Sequence, residues 1–265
     1  MLSDLEIISH HFPDRQDIII YPIADVHLGS AEHMARDWER FCSDLLKQPN
    51  AYLILGGDLL DNGTKTSVTN AFEATMRPME AKRLMCEMLA PLSDRILCMV
   101  SGNHEDRAAN RDADNDISYD IACKLNAEHL YRKNVAFVKL RFGNTEHGKG
   151  SKRDGRHNPT YVFAVTHGSG SGLGAINRNQ KFGYVLDGCD CLVVGHSHRP
   201  YIEQPAKIKI DPHNNIVSIQ PFKIVSMTSW LGWGGYAARQ MLPPASHALQ
   251  TITVCGKKKE IKVEM

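Results

Sequence analysis

The sequence predicts an α/β fold in which two sheets pack face to face and helices cover the outside. Two observations carry this prediction. In the first half of the chain, apolar strand-like runs alternate with helical segments, which is typical of a parallel or mixed sheet with crossover helices. In the second half, short alternating runs are divided by turn residues, which indicates antiparallel strands. We expect residues 1–265 to form a single domain.

The predicted strands are short apolar or alternating runs. In the first half they cover 18–24, 52–55 and 96–100. In the second half they cover 135–142, 161–166, 191–194, 206–210, 215–219, 223–227 and 249–263. Lys257, Lys258 and Lys259 interrupt the last run after a glycine, and we interpret them as a solvated hairpin turn, with a functional basic patch as the alternative.

Three predicted helices lie between the strands of the first half. Residues 34–46 place Trp38 and other apolar side chains near one helical face. A longer stretch from about 69 to 89 has the same pattern, and Pro78 should begin or kink a helical segment within it. The third helix covers 117–125.

Two loops interrupt the regular pattern. The first, 143–159, is interpreted as a mobile surface loop, with a phosphate-backbone contact as the alternative. Its basic residues are Lys149, Lys152, Arg153 and Arg156. The second, 168–183, opens with a Gly/Ser run after His167 and lacks the Gly-Lys-Ser/Thr of a Walker loop. We interpret residues 168–183 either as a loop that contacts the substrate or as a simple flexible turn.

Composition limits the function classes. The net charge is +1, from 31 Lys and Arg against 30 Asp and Glu, so there is no global electrostatic footprint for nucleic acid or an acidic membrane. The 7 cysteines are scattered through apolar segments, which suits reduced thiols. The first residues lack a basic region, and no apolar run is long enough to cross a bilayer. We therefore expect a cytoplasmic protein with no membrane partner.

Five polar motifs follow predicted strands. They are Asp25-Val26-His27, Gly57-Asp58, Gly102-Asn103-His104-Glu105, His167-Gly168 and Gly195-His196-Ser197-His198. Open α/β sheets carry their chemistry at the carboxyl ends of strands, so these side chains should converge. Carboxylate, imidazole and amide oxygen donors suit manganese, iron or zinc, and the number of donors fits two ions. A lone histidine on an apolar face is usually a core residue, but five such motifs in order favour a metal site. The glycines before Asp58, Asn103 and His196 should allow sharp backbone turns.

These motifs resemble the calcineurin-like metallophosphoesterases over about residues 18–200. The resemblance implies a four-layer α/β/β/α sandwich of two mixed sheets flanked by helices. The strand pattern adds C-terminal strands over 201–265. The resemblance also implies two metal sites: Asp25, His27 and His198 at one, Asn103, His167 and His196 at the other, and Asp58 bridging them. Residues 226–229, followed by Trp230, Trp233 and Tyr236, are similar to the carboxyl-terminal strand and loop of phage and prophage members. For these aromatic residues, packing in the core is favoured over base stacking.

The expected mechanism is hydrolysis by a hydroxide that bridges two divalent or trivalent ions, with manganese preferred and iron or zinc as alternatives. His104 follows a ligand and is free to protonate the leaving oxygen as general acid. Asp61 resembles the carboxylate that holds this histidine protonated in relatives, with Glu105 and Asp106 as alternatives. Asp61 could instead cap a helix or turn.

Two departures from the Ser/Thr phosphatases of this superfamily concern the substrate. Those enzymes carry an arginine directly after the second aspartate, where this chain has Asn62, and they lack Gly-His-x-His, which resembles the diesterase and nuclease branches. We expect a phosphodiesterase with DNA or RNA as candidate substrate. Substrate contacts are expected from Asn103, Arg178 and Arg199, with Lys181 nearby. The alternatives are a phosphomonoesterase that uses Arg107 or Arg178, and a non-catalytic scaffold; the oligomeric state stays open.

Overall fold

The structure, a computed structural model, describes residues 4–14, 16–63, 73–107, 115–143, 158–170 and 172–265. The described residues form two six-stranded sheets and a separate two-stranded hairpin. The loop expected over 143–159 lies almost entirely outside the described residues, as do its four basic residues and the first part of the helical stretch expected over 69–89.

The first sheet combines four parallel strands with an antiparallel hairpin at one edge. From edge to edge it contains β14 (Ile261–Glu264), β13 (Thr251–Val254), β2 (Ile18–Ile23), β3 (Ala51–Leu55), β4 (Ile96–Val100) and β5 (Tyr131–Arg132). Strands β2 to β5 run parallel, and β13 joins β2 antiparallel. Strands β13 and β14 pair antiparallel around the three lysines, as expected for a hairpin turn.

The second sheet is mixed. Its order is β1 (Ile7–Phe12), β6 (Val135–Phe142), β7 (Thr160–Thr166), β8 (Cys191–Val194), β12 (Lys223–Ser226) and β9 (Tyr201–Glu203). Strands β6 and β7 pair antiparallel and so do β12 and β9, whereas β8 pairs parallel with both β7 and β12, which makes the sheet mixed as expected. Strand β1 was not predicted; it pairs parallel with β6 at the sheet edge. The hairpin β10 (Ala206–Asp211) and β11 (Ile216–Pro221) is antiparallel, as predicted.

Helices cover both outer faces and complete the predicted four-layer α/β/β/α sandwich. Those of the first half are α1 (Ala35–Leu46), α2 (Pro78–Leu89), the short α3 (Asn103–Arg107) and α4 (Ile117–Lys124). The second sheet is covered by α5 (Gly172–Val185), where Phe182 and Leu186 pack against a cluster that includes Leu192 and Ile224. A short α6 (Gly235–Arg239) follows β12. Residues 168–183 were expected to be a loop, but most of them form α5.

The main core lies between the two sheets and continues under the first helical layer. One apolar cluster contains Leu53 and Ile54 of the first sheet and Phe142 and Phe163 of the second. Trp38 of α1 is fully buried within it. Within the described ranges, no helix has both the length and the apolarity needed to cross a membrane.

Candidate metal centre

The five polar motifs meet at one end of the sandwich. Asp25, Asp58 and Asn103 follow β2, β3 and β4, which are parallel neighbours of the first sheet. His167 and His196 follow β7 and β8, which are parallel neighbours of the second sheet. Because the carboxyl ends of parallel strands share one sheet edge, both sheets deliver their loops to the same cleft.

One group of donors consists of Asp25, His27 and His198. The Oδ1 atom of Asp25 lies 3.1 Å from Nε2 of His198 and 3.8 Å from Nε2 of His27. The two histidine Nε2 atoms are 3.3 Å apart. Three donor atoms therefore face one small volume, and these are the residues for which the family resemblance implies one ion.

A second group lies beside it. Asn103 Oδ1 is 3.0 Å from Nε2 of His167 and 2.7 Å from Nδ1 of His196, and the two ring nitrogens are 3.2 Å apart. Asp58 connects the groups: its Oδ2 atom lies 3.2 Å from Nε2 of His167 and 3.9 Å from Nε2 of His27. The carboxylate of Asp58 thus lies between the two groups, and the bridging role that the family resemblance implies for it stays a prediction.

The backbone of this cluster is held in an uncommon conformation. Five of the seven donor residues have positive φ: Asp25 (53°), His27 (48°), Asp58 (50°), His196 (67°) and His198 (54°). This region costs about 1–2 kcal/mol for a residue with a side chain, although Asp and His enter it more readily than most. Strain of this kind persists only where surrounding contacts fix the loop, and it marks functional sites.

Of the three glycines expected to turn the backbone, only Gly57 has a positive φ. Gly57 has a φ of +86° and does provide a turn. Gly102 is required for close approach, because a Cβ there would lie 2.1 Å from both the backbone nitrogen and Oδ1 of Asp58. The turn at the second histidine motif is made by His196 itself rather than by the glycine before it.

Backbone N–H groups orient the two carboxylates. The N–H of His104 donates to Oδ1 of Asp58 at 2.8 Å, and the N–H of His196 donates to Oδ2 of Asp25 at 2.9 Å. Each aspartate thereby has one oxygen fixed and the other turned toward the histidines. His167 donates from Nδ1 to the carbonyl of Gly56 at 2.8 Å, which leaves Nε2 as the nitrogen that faces the cluster.

The donor set fits divalent metal ions. Oδ1 of Asp25 is buried and accepts no hydrogen bond from the described residues, which is costly for a carboxylate oxygen unless a cation is beside it. Burial raises the pKa of Asp58, but the nearby His167 and His104 outweigh it and hold this pKa below its usual value. Burial lowers the pKa of His167, but the Asp58 carboxylate raises it to about 10. Protons on these histidines compete with a metal ion for the same atoms.

His104 lies at the rim of both groups. Its Nδ1 donates to the carbonyl of Asp61 at 2.8 Å and lies 3.4 Å from Oδ1 of the same residue. Burial lowers the pKa of His104, but the carboxylate of Asp58 and the hydrogen bond to Asp61 raise it above its ordinary value. Its Nε2 is 3.8 Å from Oδ2 of Asp58, and His104, His27 and Asp58 form a third group that could hold an ion.

Glu105 has a role that the sequence did not reveal. Its Oε2 accepts from the N–H of Asp58 at 2.9 Å and of Gly102 at 3.2 Å, and its Oε1 accepts from the N–H of Leu60 at 2.9 Å. Burial and the Asp58 charge raise the pKa of Glu105 to about 7. The side chain binds the loop after β3 to the loop after β4, so it is not the partner of His104. Asp106, the other alternative, accepts instead from the Ser101 hydroxyl.

Of the residues expected to contact the substrate, Asn103 belongs to the donor cluster, and the two arginines lie on α5 and in the loop after β8. The guanidinium of Arg178 donates to the carbonyl and hydroxyl of Ser169, in the loop after His167. Arg199 is exposed directly after His198. Lys181 is also exposed.

Of the C-terminal aromatic residues, Trp230 is buried and Trp233 is exposed. Trp230 is only 8% exposed and packs on Trp38 with ring centroids 5.1 Å apart, so it belongs to the core. Its backbone N–H donates to the carbonyl of Asp25 and supports that loop from behind. Trp233 is largely exposed, and its indole donates to the carbonyl of Leu242. The side chain of Tyr236 lies outside the described part of the chain.

The fold and the donor cluster together define a four-layer α/β/β/α protein with a candidate centre for two metal ions. The family model of calcineurin-like phosphoesterases matches residues 20–200, and the chain belongs to this family. No curated protein sequence matches the chain.

Two solved structures are similar. One is a conserved uncharacterized protein of Streptococcus pneumoniae TIGR4, described as a predicted phosphoesterase, at 13% identity and a TM-score of 0.39, with 93% of this chain and 88% of that chain covered. The other is Vps29 of Entamoeba histolytica in complex with Zn²⁺, at 11% identity and a TM-score of 0.36, with 93% of this chain and 97% of that chain covered.

Proposed function

We propose that this chain is a two-metal phosphodiesterase that acts on nucleic acid, DNA or RNA. The observation that carries the diester preference is the environment of Asn62. Its side-chain N–H donates to the carbonyl of His104 at 2.9 Å, and the residue is buried. Asn62 therefore places a neutral amide beside His104, where the Ser/Thr phosphatases have an arginine. A phosphomonoester carries one more negative charge than a diester, and the neutral amide cannot balance it.

Seven side chains are proposed as ligands of the two ions. Asp25, His27 and His198 would hold one, Asn103, His167 and His196 the other, and Asp58 would contact both. When bound, such cations supply positive charge that polarises the phosphoryl group and lowers the pKa of an attacking water. We propose manganese for both ions, with iron or zinc as alternatives.

The proposed proton donor is Nε2 of His104. The carbonyl of Asp61 accepts from Nδ1 and fixes the ring so that Nε2 points into the cleft. The carboxylates of Asp58 and Asp61 favour the protonated ring. His104 would give its proton to the leaving oxygen, while Asp61 and Asn62 position the ring and its helix. Arg199 and the loop bound by Arg178 are proposed to contact the nucleic-acid backbone.

Replacing His104 with alanine should slow hydrolysis of a DNA phosphodiester by about 10²–10⁴-fold. The rate with bis-(p-nitrophenyl) phosphate should change far less, because p-nitrophenolate leaves without needing a proton. Metal per chain, measured by plasma mass spectrometry, should stay at the wild-type level. His213→Ala, in the exposed turn between β10 and β11, is the control. Loss of metal in His104→Ala would instead assign His104 as a ligand of the third donor group.

The substrate class is tested by comparing esters directly. Manganese-loaded protein should cleave bis-(p-nitrophenyl) phosphate and end-labelled single- or double-stranded DNA or RNA well above p-nitrophenyl phosphate, and a chelator should abolish all cleavage. Arg199→Ala should raise the KM for nucleic acid several-fold with little effect on the small diester, whereas Arg40→Ala, in an exposed ion pair of α1, should change neither. Preference for the monoester would refute the diester proposal.

One observation favours a phosphomonoesterase as the second candidate. Nη1 of Arg107 is buried and has no hydrogen-bond partner among the described residues. Arg107 lies one helical turn from His104 and its charge opposes protonation of that ring. A guanidinium available in this way could hold a phosphate dianion. In the ester comparison, Arg107→Ala would then lower the monoester rate selectively.

A further inference from the structure

Gln250 is a fully buried polar residue that joins the two sheets. It directly precedes β13 of the first sheet. Its Nε2 donates to the carbonyl of Ser226 at 2.8 Å, and its Oε1 accepts from the N–H of Thr228 at 3.2 Å. Ser226 is the last residue of β12 in the second sheet. One carboxamide therefore satisfies a buried backbone acceptor and a buried backbone donor at the point where β12 ends.

Residues 226–230, which we call the support segment, contact the donor loops of both sheets. At the start of the segment, the buried hydroxyl of Ser226 lies 3.0 Å from the hydroxyl of Ser197. Ser197 is the residue between the donors His196 and His198, which have φ of 67° and 54°. A turn with two such residues keeps its shape only where neighbouring contacts fix it. Ser226 therefore helps to fix the turn that carries one proposed donor of each ion.

The other end of the support segment holds the loop of Asp25 in the first sheet. The hydroxyl of Ser229 donates to the carbonyl of Asp25 at 3.3 Å, and the N–H of Trp230 donates to the same oxygen at 3.0 Å. Asp25 also has positive φ, and its Oδ1 faces the Nε2 atoms of His27 and His198. A shift of this carbonyl would therefore move the carboxylate relative to both histidines.

We propose that Gln250 is a positioning residue of the metal centre, which acts through the support segment on donors of both ions. The inference rests on the metal-binding part of the proposed function and is independent of the substrate class. Residues that orient metal ligands from behind change metal affinity by about 10–100-fold when they are lost. Gln250 lies outside residues 20–200, which match the family model, so the C-terminal strands contribute to the geometry of the site as well as to the first sheet.

The position of Gln250 requires a group that both donates and accepts. Methionine has nearly the same length and shape but offers no donor and only a weak acceptor. In Gln250→Met, the carbonyl of Ser226 and the N–H of Thr228 would therefore be buried without their partner. Because an unsatisfied buried polar group is costly, the support segment should move to find new partners. The donor loops that contact the segment would then lose their fixed positions.

The test is Mn²⁺ binding to the metal-free protein, measured by isothermal titration calorimetry at a temperature where circular dichroism shows each variant to be folded. Gln250→Met should weaken binding of both ions by about 10–100-fold. Ser226→Ala removes only the hydroxyl contact with Ser197 and should weaken binding several-fold. Gln48→Met is the matched control, because Gln48 accepts from the hydroxyl of Tyr21 at 2.9 Å near the amino end of β3, the end of the sheet opposite the donors. Its metal affinity should equal that of the wild type.

Metal affinity is measured without turnover, so the positioning role and the proposed activity fail separately. Native Mn²⁺ affinity in folded Gln250→Met, even with a lower melting temperature, would overturn the positioning role and leave Gln250 a contribution to stability alone. If Gln250→Met does not fold, native affinity in Ser226→Ala overturns the role instead. Weakened affinity in a wild-type background that binds two Mn²⁺ but cleaves no diester would support the role and refute the phosphodiesterase. A wild-type protein that binds no metal would overturn both.

Discussion

Replacing Asp58 with asparagine will leave the protein with about one bound metal ion or none and will reduce hydrolysis by at least about 10²–10³-fold. Asp58 is the donor whose inward oxygen faces both groups, 3.2 Å from Nε2 of His167 and 3.9 Å from Nε2 of His27. An amide carries no charge and replaces one oxygen by an N–H donor, which repels a cation. Both ions lose a shared anionic ligand at once.

Asparagine preserves the shape of the side chain, so the loss is electrostatic. Its remaining oxygen can still accept the N–H of His104, which Oδ1 of Asp58 accepts at 2.8 Å in the native chain. The melting temperature of the metal-free protein should therefore change little. Metal per chain is measured by plasma mass spectrometry after loading with Mn²⁺, and hydrolysis is measured with bis-(p-nitrophenyl) phosphate.

The matched control is Asp37→Asn. Asp37 makes an exposed ion pair with Arg40 on α1, so the same chemical change there should alter neither metal content nor rate. If Asp58→Asn bound two ions with native affinity, Asp58 would not bridge the two groups. The third group, His27, Asp58 and His104, would then have to be considered as one of the two ion sites.

The donors were predictable because their signals are local. Each donor follows an apolar run within a few residues, and the strand-end rule of α/β sheets converts that position into a place in space. Asp25, Asp58 and His196 needed no knowledge of the intervening chain to be placed at one edge. Helices α1, α2 and α4 were predictable for the same reason, since apolar periodicity lies within each segment and Pro78 marks the start of α2.

Features that depend on distant partners were not predictable. Helix α5 begins in the Gly/Ser run that follows His167, and glycines conceal helical periodicity because they favour no helix face. Strand β1 shows weak alternation, and its place comes from pairing with β6, more than 120 residues along the chain. The parallel pairing of β8 and β12 likewise depends on the connection made by β9, β10 and β11.

Within the site, the contacts of Glu105 also could not be predicted from the sequence. The sequence places it beside Asn103 and His104, which made it a candidate partner of the acid. Its direction is set by the N–H groups of Asp58 and Leu60, 47 and 45 residues earlier, and no local pattern encodes that contact. Asn62 contacts His104 across a similar separation.

Replacing Glu105 with alanine should lower the free energy of unfolding by about 3–5 kcal/mol, a large share of the usual stability of a folded chain. Three backbone N–H groups, of Asp58, Leu60 and Gly102, would lose the carboxylate that accepts them in a buried setting. Glu105→Gln should cost less, because the amide oxygen can keep two of these donors while its N–H₂ group faces the third. Urea unfolding of the metal-free protein measures both changes.

A positioning role for Glu105 predicts more than lost stability. The strained turn at Asp58 is held by this carboxylate, so Glu105→Gln should weaken metal binding by about 10–100-fold even at temperatures where the variant is fully folded. Glu87→Ala, which removes an exposed carboxylate paired with Arg83 on α2, should change neither property. Native metal affinity in a folded Glu105→Gln protein would show that the β3 and β4 loops keep the Asp58 geometry without this side chain, and that Glu105 contributes stability alone.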